Sequence, residues 1–209
     1  MHIRSIFVVL IAPIIALAGC GTIATVRSFS TAYVEPTTGD LARLRIRSNG
    51  MVRAVPGKTC VDWRTPGAGV MLAHRKGFAN LNDRDLGMPQ EVYYSPKDLS
   101  RRVYSVISSE RSTERSTELR IAADQPITLN FISDGSPQGG NIYRCASAIS
   151  FVPERGMDYE IVFFDQGIGS RCTADLTRID QDTLRKKPIF QHVPVDTQHA
   201  GLCHVTDML

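Results

Sequence analysis

From residue 40 onward, apolar and polar positions alternate. Ala42, Leu44 and Ile46 take every second place, with Arg43, Arg45 and Arg47 between them. A period of two marks a strand with one buried face, here with a basic outer face. Asn49-Gly50 follows, the strongest short hairpin signal, and Met51 to Val55 reads as the returning strand, stopped by Pro56-Gly57. The second half repeats the pattern. Leu119 and Ile121, then Ile127, Leu129 and Phe131, flank the turn Asp124-Gln125-Pro126 and read as a hairpin. Three further faces follow: Tyr143, Cys145, Ser147, Ile149 and Phe151; Met157, Tyr159, Ile161 and Phe163; and Cys172, Ala174 and Leu176. They read as a meander of three antiparallel strands.

The intervening stretches are less regular. Residues 56–69, rich in Pro and Gly, form a loop pinned by Cys60 and Trp63, and Val70 to His74 reads as a short strand. Residues 75–97 are irregular. Asp98 to Glu110 reads as a helix, with Leu99, Val103 and Ile107 at helical spacing and Asp98 or Ser100 as its cap. The tetrapeptide RSTE stands twice in tandem, at 111–114 and 115–118, a short duplication rather than a repeat architecture. In the last segment Pro188 and Pro194 exclude long elements, and Cys203 ties a final strand, Leu202 to Thr206, to the rest. Strands at this spacing with turn signals between them predict a mostly β fold. The expected form is an antiparallel β-sandwich over residues 40–209, with one short helix in an insertion.

The first twenty residues belong to another pattern. Arg4 stands in a short leader without acids, and an apolar run extends from Ile6 to Ala18. That run is shorter than the ~20 residues needed to span a bilayer and fits the apolar region of a signal peptide, residues 1–19. It closes in Leu17-Ala18-Gly19-Cys20. This tetrapeptide resembles the lipobox of bacterial lipoproteins: a branched apolar residue, two small residues that fit a peptidase cleft, and a nucleophilic Cys. The resemblance implies that Cys20 becomes the first residue of the mature chain and carries acyl groups on sulfur and nitrogen. One acyl chain gives marginal anchoring, whereas two or more hold. Gly21 and Thr22 lack the Asp that retains many such lipoproteins in the inner membrane, so the resemblance points to the outer membrane, facing the periplasm. Residues 20–39, rich in Thr, Ser and small side chains, read as the lipidated Cys and a tether, whose end from Val34 touches the domain.

Cleavage changes the cysteine count. Of five cysteines, Cys20 goes to lipid, leaving Cys60, Cys145, Cys172 and Cys203. An even number in an oxidising compartment reads as disulfides. Three connectivities are open; we take Cys60–Cys145 and Cys172–Cys203 as the expected pairing. Wide spacing and the lack of a C-x₂-C pair argue against zinc.

Composition then excludes function classes. Hydrophobic residues make up 43% of the 209 residues and charged residues 22%, which excludes a disordered chain. The formal charge of +3 falls to +2 once Arg4 is removed, too mild for a dedicated nucleic-acid binder. No G-x-S-x-G, H-E-x-x-H or P-loop pattern occurs. Asn80, Asn82, Asp83 and Asp85 before Gly87 imitate a calcium loop, but Arg84, Leu86 and Tyr93 occupy ligand positions, so the stretch reads as a polar surface loop. His192, His199 and His204 have no metal-ligand spacing. The arginine stripe admits two readings: a site for phosphates or an acidic partner, and, preferred, a solvated strand face that discourages edge pairing.

GDLARLRI, CASAISFVPERGMDYEIVF and SRCTADL resemble uncharacterised lipoproteins of Gram-negative bacteria built as small cysteine-containing β-domains. This resemblance brings no catalytic residues. The expectation is therefore a non-enzymatic, membrane-anchored envelope lipoprotein without cofactor or metal. Its partners would be the membrane, through Cys20, and an envelope protein. The alternative is a ligand- or metal-binding periplasmic lipoprotein, and a hydrolase whose groups converge only in the fold ranks below both.

Overall fold

A computed structural model describes residues 23–89, 114–165, 172–182 and 187–204. Residues 1–22, with the apolar leader and Cys20, and the helix expected at 98–110 lie outside the described residues. Among the described residues there are one helix and eleven strands; the helix, α1, is short and covers residues 23–30. Eleven strands follow: β1 (Leu41–Ser48), β2 (Gly50–Pro56), β3 (Gly69–Leu72), β4 (Arg115–Ala122), β5 (Ile127–Ser133), β6 (Ser136–Gln138), β7 (Asn141–Tyr143), β8 (Ala146–Phe151), β9 (Asp158–Asp165), β10 (Cys172–Asp182) and β11 (Lys187–His192). They form a five-stranded sheet, β11-β10-β9-β1-β4, and a four-stranded sheet, β3-β2-β5-β8, with β6 and β7 as a separate ribbon. The fold is mostly β and sandwich-like, as the alternation predicts. Among these eleven strands all pairs are antiparallel except β1 with β9.

The inner faces of the two sheets make one core. Leu44 and Ile46 of β1, Leu119 and Ile121 of β4, and Tyr159, Ile161 and Phe163 of β9 share it with Val52, Ala54, Leu129, Phe131, Ile149 and Phe151 of the other sheet. Phe131 stacks on Phe163 with ring centroids 5.4 Å apart, and Phe151 meets Tyr159 at 5.4 Å. Such aromatic pairs add about 0.5–1.5 kcal/mol beyond the area they bury.

Two expected hairpins are not hairpins. β1 and β2 belong to different sheets, as do β4 and β5, and β8 and β9. Only the β9–β10 step of the expected meander is a paired neighbour. At Asn49-Gly50 the chain changes layer instead of folding back. Neither residue has the positive φ that a two-residue hairpin turn of this kind demands. The Asn49 amide extends the β9 ladder, donating to the Asp165 carbonyl at 2.9 Å and accepting from the Asp165 N–H at 3.0 Å. Gly50 is needed because a Cβ there would lie 2.5 Å from the Ile132 carbonyl oxygen. In a sandwich, strands of both layers alternate in the same way, so a turn signal marks a change of direction without saying which sheet receives the next strand.

Residues 20–39 are not a tether throughout. α1 lies on the outer face of the four-stranded sheet, with Thr25 and Ser28 buried. Residues 31–33 then run beside β3: the Val70 N–H donates to Thr31 at 2.8 Å and the Tyr33 N–H to Val70 at 2.9 Å. A side chain at Gly69 would strike the Thr31 carbonyl at 2.4 Å, so the glycine admits this extra strand. The opposite edge, β8, is closed by Asp196, whose backbone exchanges hydrogen bonds with Ser150 at 2.8 and 2.9 Å. β4 is covered by the 83–84 backbone and by Glu35, whose carboxylate accepts from the Arg120 N–H at 2.8 Å. The fourth edge, β11, carries Pro188, which cannot donate to another strand. β11 is six residues long, a short element as the prolines predict, and its edge position tolerates Pro188. The final strand expected at Leu202 is a single bridge to Val61 within the described residues.

The disulfides join Cys60 to Cys203 and Cys145 to Cys172, which corrects the expected pairing. Cys145 precedes β8 and Cys172 opens β10, so this bridge links the two sheets. Cys203 reaches Cys60 because its N–H bonds the Val61 carbonyl at 3.0 Å, bringing the C-terminal segment against the 57–68 loop. Chain order carried no information about either approach. Peptide mapping without reduction is expected to recover Cys60–Cys203 and Cys145–Cys172 as linked peptides. Removing the first bridge, which closes 143 residues, is expected to lower stability by about 5 kcal/mol in urea unfolding, and the 27-residue bridge by about 3.5 kcal/mol. A Cys60–Cys145 peptide would contradict the arrangement.

Candidate functional site

The chemistry-bearing side chains gather on the outer faces of the two sheets. On the five-stranded sheet, alternation sends Arg43, Arg45 and Arg47 away from the core. β1 is an interior strand, so carboxylates arrive from both sides by register: Arg43 faces Asp158, and Arg45 faces Glu118 on one side and Glu160 on the other. Arg43 clasps Asp158 with two parallel bonds of 2.7 and 2.6 Å. Arg45 donates to Glu118 at 2.9 and 2.8 Å and to Glu160 at 3.1 Å. Arg47 pairs with Glu114.

This stripe is neither the solvated face nor the open phosphate site considered from the sequence. Arg45 is only 3% exposed. The irregular segment 81–89 lies across it and is fastened by the same charges. Arg45 donates to the carbonyls of Met88 at 2.8 Å and Pro89 at 2.9 Å. The second oxygen of Glu118 accepts from the N–H groups of Leu86 at 2.6 Å and Met88 at 3.1 Å. The tandem RSTE acquires a role here. Its glutamates, Glu114 and Glu118, stand four residues apart, on one face of an extended chain, and meet Arg47 and Arg45 two residues apart on the same face of β1. In the polar loop that imitates a calcium site, Asn80, Asp83 and Asp85 are exposed, as a surface loop requires, while the Asn82 side chain bonds the backbone of Ala73 at 3.0 and 2.6 Å.

The outer face of the four-stranded sheet holds a lone cation that sequence reasoning passed over. Arg53, in the apolar run Met51 to Val55, is 4% exposed. Its guanidinium carbon lies 3.9 Å from the ring centre of Phe29 on α1 and 3.9 Å from that of Trp63 in the 57–68 loop. One terminal nitrogen donates to the Ser28 hydroxyl at 2.6 Å, the other to the amide oxygen of Asn130 at 2.8 Å, directly across the strand pair. Nε is buried without a hydrogen-bond partner, and no carboxylate among the described residues pairs with this arginine. Burial pushes its pKa down to about 9, so it stays charged at neutral pH. The signal in the sequence was a single arginine inside an otherwise apolar strand. Trp63 plugs the loop against Val55, Val61 and Ala68, as expected.

The histidines do not converge. His192 Nδ1 lies 2.9 Å from Asp175, and His199 Nδ1 lies 2.9 Å from Asp196. The Asp196 carboxyl is held below its ordinary range, first by the His199 backbone N–H and then by its ring. Each pair is exposed and separate, and among the described residues no three His, Cys, Asp or Glu side chains form a metal-binding group. Cys203, beside His204, is committed to a disulfide. No protein-family model, curated protein or solved structure matches the chain.

What these clusters do chemically is hold covering segments onto a sandwich. Arg45→Met is expected to lower stability by about 3 kcal/mol or more in urea unfolding, because Glu118 and Glu160 are left buried with reduced compensation. A loss below about 1 kcal/mol would show that the cluster behaves as an exposed pair.

Proposed function

We propose that the protein is a membrane-anchored lipoprotein of the cell envelope, held by acyl groups on Cys20, non-catalytic, and structural or accessory to an envelope assembly. The observation that carries this reading is the Leu17-Ala18-Gly19-Cys20 box at the end of a short apolar run. Placement at the outer membrane, facing the periplasm, is part of the same proposal and rests on Gly21 and Thr22. One feature of the folded part supports it: both disulfides suit an oxidising compartment. No helix among the described residues is long and apolar enough to cross a membrane.

The chemistry on both outer faces is directed inward, to the protein's own segments, which favours a structural role over catalysis. Replacing Cys20 by Ser is expected to release the protein from the membrane fraction or leave it unprocessed, and to abolish palmitate labelling. A Cys20→Ser protein that still sediments with membranes and takes up palmitate would overturn the proposal.

A further inference from the structure

α1 has two faces. Thr25 and Ser28 are buried against the four-stranded sheet, while Ala24 and Phe29 pack at the margins of the same contact. Positions 23, 26, 27 and 30 fall at i, i+3, i+4 and i+7, so they share the opposite side of the helix. That side carries Ile23, 60% exposed, and Val26, 57% exposed, in its first turn, with Arg27 and Ser30 exposed beyond them. Isolated exposed apolar residues are ordinary on a protein surface. These two are distinguished by where they stand. Ile23 is three residues after Cys20, and three residues reach at most ~11 Å when fully extended.

We infer that the outward side of α1 is a membrane-seating surface, and that its occupant is the phospholipid layer holding the acyl chains of Cys20. The inference rests on the lipoprotein reading of Cys20 and extends it to the placement of the whole domain. With so short a link, an acylated Cys20 brings Ile23 to the head-group region. An apolar first turn followed by a cation is the order an interfacial helix needs: Ile23 and Val26 enter the boundary, and Arg27 reaches the phosphates. The helix cannot swing independently of the sandwich. Arg53 is gripped between Phe29 of α1 and Trp63 of the loop, and bonds Ser28 one turn from the outward residues. The domain is therefore seated against the bilayer with the helix-bearing side of the four-stranded sheet toward it, rather than hanging on a flexible tether.

The test uses the full-length chain, acylated in cells and reconstituted into vesicles of phosphatidylethanolamine and phosphatidylglycerol brominated near the head of the acyl chain. Ile23→Trp and Val26→Trp, both at exposed positions, are compared with Ser30→Trp and with the unmodified protein, whose single Trp63 is buried. Palmitate labelling is measured on each sample. The added emission at 23 and 26 is expected to fall by about half, as for side chains seated ~5–10 Å into the boundary, with a smaller loss at 30. Palmitate-labelled protein whose added indoles at 23 and 26 are unquenched would overturn the inference and leave the lipoprotein reading intact. A chain that takes no palmitate would overturn both.

Discussion

A guanidinium buried without a carboxylate is costly unless something else satisfies it. In this protein two aromatic rings and two neutral oxygens do so for Arg53. The groups come from three places in the chain, α1, the 57–68 loop and β5, and close on an arginine of β2. None of those segments can leave without exposing the others or stranding the cation in an apolar site. The cover of the four-stranded sheet is therefore one unit, although its pieces are far apart in sequence. The disulfide from Cys60 to Cys203 extends that unit to the C-terminal segment.

The five-stranded sheet solves the same problem with charges of both signs. Its outer face would otherwise be a row of arginines in water. Register places carboxylates beside them from β4 and β9, and the spare donors and acceptors fix the 81–89 backbone on top. Buried ion pairs of this kind contribute little net stability against an apolar replacement, but breaking one partner away is expensive. Their value here lies in geometry: they hold an irregular segment in one place where an apolar face would only hold it down. Each sheet is consequently covered over part of its outside, the five-stranded one around β1 and the four-stranded one around Arg53.

The periodicity made the strands legible, and Leu44, Ile46, Leu129, Phe131, Ile161 and Phe163 face the core as their alternation predicts. Layer assignment was not legible, because Asn49-Gly50 and Asp124-Gln125-Pro126 signal a change of direction without signalling a partner. The disulfide pairing depended on that same layer assignment. The arginine stripe was visible, but its neutralisation depends on register with β4 and β9, which sequence order hides. Arg53 was hardest to read. A single charge within an apolar run looks like a solvated position until α1 and Trp63 are seen to close over it. The Cys20 box sits at the other extreme, since a lipobox is recognised as contiguous sequence and depends on no fold.

Arg53 joins α1 to the domain, and amide hydrogen exchange across the helix tests this most directly. The amides of residues 27–30, which the helix itself bonds, are expected to be protected in the native protein, and Arg53→Met is expected to remove their protection while the core strands β5 and β9 keep theirs. Residues 27–30 exchanging at unstructured-chain rates in the native protein would contradict it.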